Sequence, residues 1–554
     1  AIFDIVDTKD GWGQISTTGA WIKLSYTVAV NAEYNVKITA KDLNMRSGPG
    51  ILYARKGYIK PGTYTIKATN EVERLLDQTV LYYEDLNKNR GFTEGFMSDL
   101  ENMITAFQKG RAEYEQRKNG TLQGSFEVRE IYGADDAQAH EAGRIILGNN
   151  LDYMDHICKN DKLGRGLQLI YVDPPFFSKS KYQASVVLQS EILGNSSTVK
   201  IDAYDDFRAS ALESYLQMLT TRLFFMRDLL SDTGCIAVHL DWHVAHYVKI
   251  LMDEIFGRKN FINEIIWNYK SGGTSKKNFA RKHDTLLLYG KTKQYKFHML
   301  KEKSYNRGMK PYCFQGVEEF QDEQGWYTMV NMKDVWTIDM VGRTSAERTG
   351  YATQKPEKLL ERIVEACSDP GDLCADFFAG SGSFGAVCSK MGRNWIMCDE
   401  SPLAISSEIA RLTALQKRAG EKEDRMAGGF SVLAAKCGTA AKSELAAKSE
   451  PDVRNAAKIF AEVSEDQVLL TGYEPPETVE NCSSPEEVER FVRGDSLSLV
   501  AVWSVDFAWN GMVHRADKIL CSGERSVQIP KGAERIHITG YDVFGNRFAV
   551  FFER

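Results

Sequence analysis

The sequence predicts an α/β protein whose main domain contains a doubly wound, mostly parallel β-sheet. Three observations indicate this fold. At 554 residues the chain is too long for one ordinary domain. Between residues 140 and 418, short apolar segments with β-branched residues alternate with helical apolar patterns, which is typical of strand–helix–strand units. One segment, residues 372–385, has the order strand, glycine-rich turn, helix.

Composition and charge restrict the class of protein. Hydrophobic residues make up 43% of the chain and charged residues 26%, values typical of a water-soluble globular protein. Neither a membrane-spanning apolar run nor a signal-peptide pattern is seen, which predicts a cytoplasmic protein without membrane contact. Ten cysteines without a C-x-x-C pair predict reduced thiols and no metal site. The net charge of −6 excludes a uniformly basic DNA-coating protein but allows a local basic groove.

The first chemical motif follows an apolar run at residues 167–172. The run predicts a buried strand, which Pro174 and Pro175 must end. The strand then delivers the Asp173 carboxylate, a prolyl carbonyl and the ring of Phe176 to one rim of the sheet. Asp173 and Pro174 can accept the two hydrogens of an exocyclic amine, while Phe176 stacks on the ring that carries it. A plain Pro-Pro turn is the alternative.

The second motif is the glycine-rich turn. Gly380, Gly382 and Gly385 satisfy G-x-G-x-x-G, and Asp399 closes the next predicted strand, where a carboxylate can hold ribose hydroxyls. By itself this pattern also fits a dinucleotide-dependent oxidoreductase.

Three stretches together resemble a known family. DPPF at 173–176, TQKP at 353–356 and FAGSG at 378–382 are similar to the motifs of amino-methylating DNA methyltransferases that use S-adenosylmethionine. The catalytic tetrapeptide precedes the cofactor loop, as in the β group, which includes many type III modification subunits. The resemblance covers residues 140–415. It implies the doubly wound sheet of S-adenosylmethionine-dependent methyltransferases, methylation of adenine N6, and double-stranded DNA with a flipped target base as the partner. Cytosine N4 is the nearest alternative, although a serine-led tetrapeptide more often accompanies cytosine.

The resemblance also assigns site residues. Lys355 is expected to meet the carboxylate of the cofactor, and Asn149 stands where the family usually carries Gly-Asp. The catalytic residues are Asp173, Pro174, Pro175 and Phe176, and the S-adenosyl-L-methionine-binding residues are Asp376, Phe378, Ala379, Gly380, Ser381, Gly382, Asp399, Lys355 and Asn149.

A basic region separates the two motifs. Twelve Lys or Arg residues and only two acids lie between residues 270 and 310, interleaved with aromatic residues. This composition suits a DNA groove, and the resemblance places a target-recognition insert at about residues 270–345. A basic but merely solvated surface is the alternative. The predicted DNA-binding residues are Lys270, Lys276, Lys277, Arg281, Lys282, Trp267 and Tyr269.

The remaining segments are predicted more coarsely. Two stretches of residues 1–68 resemble the halves of a bacterial SH3-like module in reversed order, which predicts a small β-barrel-like segment. This is a permuted barrel, two half repeats, or a fusion or assembly accident, and a cell-wall binding protein would explain this segment alone. Residues 69–139 form a helical connector, 140–418 the catalytic domain, 419–454 a linker and 455–554 a small α+β or mostly β accessory domain. Residues 177–205 are expected to be a loop beside the tetrapeptide. The sequence leaves open whether a second copy of the chain or a restriction subunit is a protein partner.

Overall fold

The structure is a computed structural model. It describes eight strands between residues 5 and 65, and then residues 94–122, 125–133, 142–160, 163–178, 181–205, 211–270, 276–421, 429–436, 456–476 and 482–554. The chain forms two compact units. One consists of residues 1–110 with 212–217, and the other of residues 111–211 with 218–554. Among the described helices, none combines the length and the apolar character needed to cross a membrane.

The first unit contains two antiparallel sheets. The strands are β1 (Ile5–Lys9), β2 (Trp12–Ile15), β3 (Trp21–Lys23), β4 (Thr27–Ala29), β5 (Asn35–Ile38), β6 (Leu43–Arg46), β7 (Arg55–Ile59) and β8 (Gly62–Thr65). One sheet has the order β1-β2-β3-β6-β7 and the other β4-β5-β8. The SH3-like assignment of this segment stays a prediction. Of the predicted helical connector, residues 69–93, 123–124 and 134–139 lie outside the described residues.

The other strands follow in chain order. They are β9 (Phe126–Tyr132), β10 (Gly143–Leu147), β11 (Leu167–Val172), β12 (Lys181–Ser190), β13 (Asn195–Asp205), β14 (Leu230–Leu240), β15 (Phe261–Asn268), β16 (His283–Gly290), β17 (Lys301–Tyr305), β18 (Glu319–Asp322), β19 (Gly325–Asn331), β20 (Val335–Thr337), β21 (Leu373–Asp376), β22 (Asn394–Asp399), β23 (Phe430–Ala435), β24 (Lys458–Val463), β25 (Gln467–Glu474), β26 (Val500–Asp506), β27 (His514–Ala516), β28 (Lys518–Cys521), β29 (Ser526–Gln528), β30 (Arg535–Asp542) and β31 (Arg547–Glu553).

Helices connect these strands. They are α1 (Glu94–Asn119), α2 (Asn150–Asn160), α3 (Leu212–Leu229), α4 (Ala245–Met252), α5 (Glu357–Cys367), α6 (Ser383–Lys390), α7 (Pro402–Glu421) and α8 (Pro485–Asp495). A π-helix (Asp253–Gly257) and 3-10 turns (Arg258–Asn260, Arg307–Met309 and Ser496–Leu499) complete the helical elements of the described residues.

The central sheet confirms the predicted fold class. Its eleven strands have the order β20-β15-β16-β14-β11-β21-β22-β10-β23-β9-β27. The six strands from β14 to β23 are parallel to one another. β16 runs antiparallel to β14 and β15, and β9 runs antiparallel to β23. Every residue of β11 is buried, because helices cover both faces of a doubly wound sheet. A mostly parallel sheet therefore places the ends of β11, β21 and β22 side by side at one rim.

Three segments differ from the sequence predictions because they supply strands of this sheet. β9 lies in the predicted connector, β23 in the predicted linker, and β16 in the predicted recognition insert. β16 is buried over most of its length and pairs with both β14 and β15. The basic region is therefore not one continuous insert. Residues 422–428 and 437–454 of the predicted linker lie outside the described residues.

The expected loop at residues 177–205 is also different. It contains an antiparallel hairpin, β12 and β13, joined by a turn at residues 191–194. Ala184, Leu188, Val199 and Ile201 alternate with polar residues and are buried in a second hydrophobic core, which is built mainly by residues after 457. The alternation was obscured because Val187, which is exposed, stands between Val186 and Leu188 and interrupts the apolar–polar pattern. The hairpin therefore links the tetrapeptide to the C-terminal domain.

The C-terminal domain contains β24–β31 and α8, as an α+β unit should. Its strand β27 pairs in parallel with β9 and so extends the central sheet. Behind this junction the Glu130 carboxylate is fully buried and accepts hydrogen bonds from Arg547 Nε (2.5 Å) and the hydroxyls of Tyr132 (2.6 Å) and Tyr541 (3.2 Å). Burial acts to raise the pKa of Glu130, but Arg547 and the other donors outweigh it and hold that pKa below its ordinary value. An ion pair between a fully buried carboxylate and a guanidinium side chain that is 34% exposed thus joins this C-terminal part of the chain to the central sheet.

Candidate active site

Asp173 follows the last residue of β11, at the rim of the central sheet. Pro174 is buried, and Phe176 is half-buried with its ring 5.8 Å from that of His239. The Asp173 carboxylate accepts a hydrogen bond from the Lys355 ammonium, which also lies 5.1 Å from the centre of the Phe176 ring. Lys355 stands two residues before α5, whose N-cap is Pro356. The structure thus joins the tetrapeptide to the TQKP stretch, a contact that the sequence did not predict.

A buried row of hydrogen-bonded side chains packs beside the tetrapeptide. The His239 ring lies 2.8 Å from the Tyr171 hydroxyl through Nδ1 and 3.2 Å from an Asp284 oxygen through Nε2. An ionised carboxylate only accepts, so Nε2 carries the proton and Tyr171 donates to Nδ1. Burial would raise the pKa of Asp284, but hydrogen bonding and charge from His239, Lys355 and Tyr269 lower it. Tyr171, His239 and Asp284 thus hold one another in place beside the ring of Phe176.

Sequence reasoning missed His239 and Asp284. A single histidine inside an otherwise apolar strand was the available signal, because a buried imidazole needs partners. Tyr269, which was predicted as a DNA contact, belongs to the same group of hydrogen-bonded side chains, because its hydroxyl donates to Asp284 (3.1 Å).

The glycine-rich turn connects β21 to α6 beside Asp173. Tyr171 in β11 is opposite Asp376 in β21, so both strands end at the same rim. Gly380 and Gly382 have φ angles of 52° and 72°, a conformation that favours glycine. A Cβ at Gly382 would lie 2.9 Å from the side chain of Glu408. The Gly380 N–H donates to Asp399 Oδ2 (2.9 Å), and the Phe378 N–H donates to Asp376 Oδ1 (2.9 Å). Two carboxylates, Asp376 and Asp399, therefore fix the backbone conformation of the turn.

Buried carboxyl groups surround this turn, and burial disfavours their charged forms. Burial, with the charges of Asp173 and Asp399, raises the pKa of Asp376 well above its ordinary value. Burial raises the pKa of Asp399 to about 6. Glu408 is fully buried, neither of its oxygens has a hydrogen-bond partner, and burial raises its pKa as well. Such a group of acids favours a cationic ligand, because a nearby positive charge would lower these pKa values and stabilise the ionised carboxylates.

The other predicted cofactor residues lie around the same turn. Ala379 and Ser381 are buried within it, and the Ser381 hydroxyl lies 3.1 Å from that of Ser383. Asn149 caps α2 by accepting the Leu151 N–H (2.9 Å) and donates to Glu400 (2.6 Å), the residue after Asp399. The structure thus brings the predicted cofactor residues to one edge. Lys355 is the exception, since it contacts Asp173. Within the described ranges, no group of three or more His, Cys, Asp or Glu side chains could hold a metal ion.

Comparisons with known proteins identify the family. The family model N6_N4_Mtase, described as DNA methylase, matches residues 167–410. The type II methyltransferase M.EcaI of Enterobacter cloacae is 30% identical over 330 residues, which cover 48% of this chain and 70% of that protein. The type II methyltransferase M1.MboII of Moraxella bovis is 31% identical over 277 residues, which cover 47% of this chain and 92% of that protein. The chain belongs to the DNA methylase family. Among solved structures, the M1.HpyAVI–SAM complex is 15% identical, covers 49% of this chain and 98% of that chain, and has a TM-score of 0.33.

Family membership decides how the glycine-rich turn is interpreted. The matched region of this DNA methylase contains the tetrapeptide, Lys355 and the turn, but neither β9 nor the C-terminal domain. The oxidoreductase alternative is therefore set aside, because both motifs lie within the region that the DNA methylase model matches.

This methylase has an exposed basic and aromatic surface, formed by residues that follow β14 and residues that precede β16. Lys270, Lys276, Lys277 and Arg281 are exposed, and Lys282 is half-buried. The Arg281 guanidinium lies 3.8 Å from the ring centre of Trp242, which is 44% exposed. Trp242 follows β14, the strand next to β11, and was not predicted. We call Trp242 and residues 276–282 the basic rim.

Two parts of the basic region do not belong to this rim. Lys296 pairs with Asp369 (2.7 Å) and Asp372 (2.5 Å). Trp267 is 1% exposed and donates its indole N–H to the Ile338 carbonyl (2.8 Å). Its prediction as a DNA contact is therefore corrected: its side chain faces the core from β15 and packs beside Tyr269.

Proposed function

We propose that this DNA methylase transfers a methyl group from S-adenosyl-L-methionine to the N6 amine of adenine in double-stranded DNA, as part of a type II restriction-modification system. The observation that carries the proposal is the pairing of β11 with β21, which puts Asp173 and Phe176 beside the glycine-rich turn. One rim thus offers a place for a target amine next to a place for a methyl donor.

The residues around the turn fit S-adenosyl-L-methionine. Asp399 can accept ribose hydroxyls, since each of its oxygens keeps a lone pair beyond the backbone N–H that it holds. Gly380 and Gly382 let the backbone approach the ligand closely, and a cationic ligand would lower the raised pKa values of Asp376 and Glu408 and so favour their ionised forms beside it. When bound, the cofactor supplies a methyl group on a positively charged sulfur, ready for nucleophilic attack.

Asp173 and Pro174 prepare the amine of the target base. An exocyclic amine is a poor nucleophile because its lone pair is delocalised into the ring. Hydrogen bonds to the Asp173 carboxylate and the Pro174 carbonyl localise that lone pair, and Phe176 holds the ring in place. The nitrogen then needs to lie about 3–3.5 Å from the methyl carbon, so positioning supplies much of the rate. As the N–C bond forms, the methyl–sulfur bond breaks, and the proton that the nitrogen loses is within reach of Asp173.

The target base has to leave the DNA helix to reach this rim. A base inside a duplex cannot contact Asp173, so the base is flipped out and stacks on Phe176. The basic rim contacts phosphates, and Trp242 offers an exposed aromatic surface beside them. We assign the rim to backbone binding, since Lys and Arg contacts of this kind position a protein on DNA without specifying sequence.

Replacing Lys276, Lys277, Arg281 and Lys282 together by Ala is expected to weaken DNA binding and flatten its salt dependence. Each lost phosphate contact should reduce the log–log salt slope by about 0.9, so three or four contacts would lower affinity by orders of magnitude at low salt. Fluorescence anisotropy of a labelled duplex between 50 and 200 mM salt, roughly the range where such slopes are measured, tests this expectation. Four substitutions at Lys458, Arg493, Lys518 and Lys531, all exposed and outside residues 270–345, provide a charge-matched control. Equal slopes for the two quadruple variants would reject the assignment of the basic rim to DNA binding.

The product identifies the base. A host that expresses this gene should contain N6-methyladenine at one short recurring sequence, detected by long-read sequencing and by mass analysis of nucleosides. Adenine is preferred because the tetrapeptide begins with Asp and ends with Phe, and a purine offers Phe176 more overlap than a pyrimidine. N4-methylcytosine without N6-methyladenine would overturn the base assignment, and neither product would overturn the proposed function.

A further inference from the structure

Lys355 occupies the position that the target amine requires. Its ammonium donates to Asp173 Oδ2 and lies 3.4 Å from the Thr353 carbonyl. The side chains of Lys355 and Asp173 are only 9% and 17% exposed, so water competes weakly for this ion pair. The carboxylate assigned to the amine is therefore already engaged by a cation.

This arrangement is unfavourable for methyl transfer. The attacking nitrogen gains positive charge as the new bond forms, and the methyl donor is itself cationic. An ammonium group in contact with Asp173 and 5.1 Å from the Phe176 ring centre would repel both charges at short range in a nearly dry site. Lys355 must therefore leave Asp173 before the reaction.

Lys355 also acts on a carboxyl group of the glycine-rich turn. Its charge lowers the pKa of Asp376, against the larger effects of burial and of the Asp173 charge, which raise that pKa. Thr353, two residues earlier, has a φ of 57°, a strained value for a non-glycine residue, so the segment that carries the lysine is held in an unusual conformation.

We propose that Lys355 masks Asp173 in the unliganded enzyme and moves to the carboxylate of the cofactor when the cofactor binds, which frees Asp173 for the target amine. The inference rests on the proposed function and adds an order of events to it: cofactor binding prepares the base site. Lys355 is a positioning residue in this scheme, because its effect on the amine is exerted through Asp173.

The scheme can be tested by binding measurements alone, without methyl transfer, because the binding of the two ligands is thermodynamically linked. If each ligand removes Lys355 from Asp173, then the cofactor product S-adenosylhomocysteine and a target duplex must strengthen each other's binding by the same factor. Coupling of this kind usually amounts to about 5–150-fold. In the Lys355→Met variant the mask is gone, and the factor should fall to about one.

The experiment is a set of calorimetric titrations of S-adenosylhomocysteine into the full chain, with and without a duplex that contains the recognised site. A second duplex replaces the target adenine by purine, which lacks the amine and cannot bond Asp173. We expect at least fivefold coupling for wild type with the amine-bearing duplex, and little coupling with purine or in Lys355→Met. Lys358→Met is the matched control, because Lys358 is exposed in the first turn of α5; it should retain wild-type coupling.

The outcomes separate the inference from the proposed function. Coupling that survives in Lys355→Met overturns the mask while leaving the methyltransferase assignment intact. Failure of wild type to bind S-adenosylhomocysteine overturns both. If Lys355→Met does not fold, a crystal structure of wild type with S-adenosylhomocysteine decides: a separation of Lys355 and Asp173 supports the mask, and a retained ion pair rejects it.

Discussion

Replacing Asp173 by Ala is expected to reduce methylation by about 10³-fold, the order of loss seen when one preorganised hydrogen-bond partner of a reacting group is removed. The physical reason is that the amine loses the acceptor that localises its lone pair. Binding of S-adenosylhomocysteine should stay within a few-fold of wild type, because the glycine-rich turn and Asp399 are untouched. Single-turnover methylation and calorimetric titration measure the two effects separately.

Two further variants make the Asp173 result specific. Asp173→Asn keeps the shape and one acceptor oxygen but removes the charge, so it should recover only part of the rate. Asp232→Asn removes an 88% exposed carboxylate at the opposite end of the sheet and should behave as wild type. An equal loss of cofactor affinity and rate in Asp173→Ala would contradict the division of the site into an amine half and a cofactor half.

Replacing Arg547 by Met is expected to destabilise the protein by about 3 kcal/mol, the lower end of the range for breaking a buried ion pair. The substitution leaves the Glu130 carboxylate fully buried without its cationic partner, although the hydroxyls of Tyr132 and Tyr541 still donate to it. Urea denaturation followed by tryptophan fluorescence measures the loss. Trp503 is buried in β26 of the C-terminal domain and reports on that region.

The pH dependence of the stability distinguishes loss of the ion pair from simple loss of packing. Because the pKa of Glu130 is lowered in the folded protein, its ion pair stabilises the fold at neutral pH and that contribution disappears as the pH falls through the lowered value. The difference between wild type and Arg547→Met should therefore shrink in acid. Glu130→Gln combined with Arg547→Met should recover stability, and Arg493→Met, which breaks an exposed pair with Glu489, should change stability by less than about 1 kcal/mol. A pH-independent loss would contradict the ion-pair explanation.

The sequence predicted those parts of the site that have a local chemical signature. Pro174 and Pro175 must end a strand, and Gly380 and Gly382 must turn before a helix, so the two half-sites could be located in the chain. The alternation of strands and helices then predicted the mostly parallel sheet that brings them together.

The remaining features depend on pairings between distant residues. Lys355 and Asp173 are 182 positions apart, and nothing near either residue encodes their contact. β16 and β23 were missed because a strand inside a basic or Ala-rich stretch resembles its surroundings until its neighbours in the sheet are known. Trp267 was misassigned for the related reason that the burial of its side chain depends on the partner strands of β15.

The junction between β27 and β9 has a consequence for how the protein is made. Arg547 lies 417 positions after Glu130, and β27 covers an edge of a sheet that begins near residue 126. During synthesis the chain must be released to about residue 516 before this edge is closed, and until then the backbone groups along that edge of β9 are unpaired and can associate with other chains. We therefore expect truncation before residue 500 to yield aggregated protein even though every methylase motif is present.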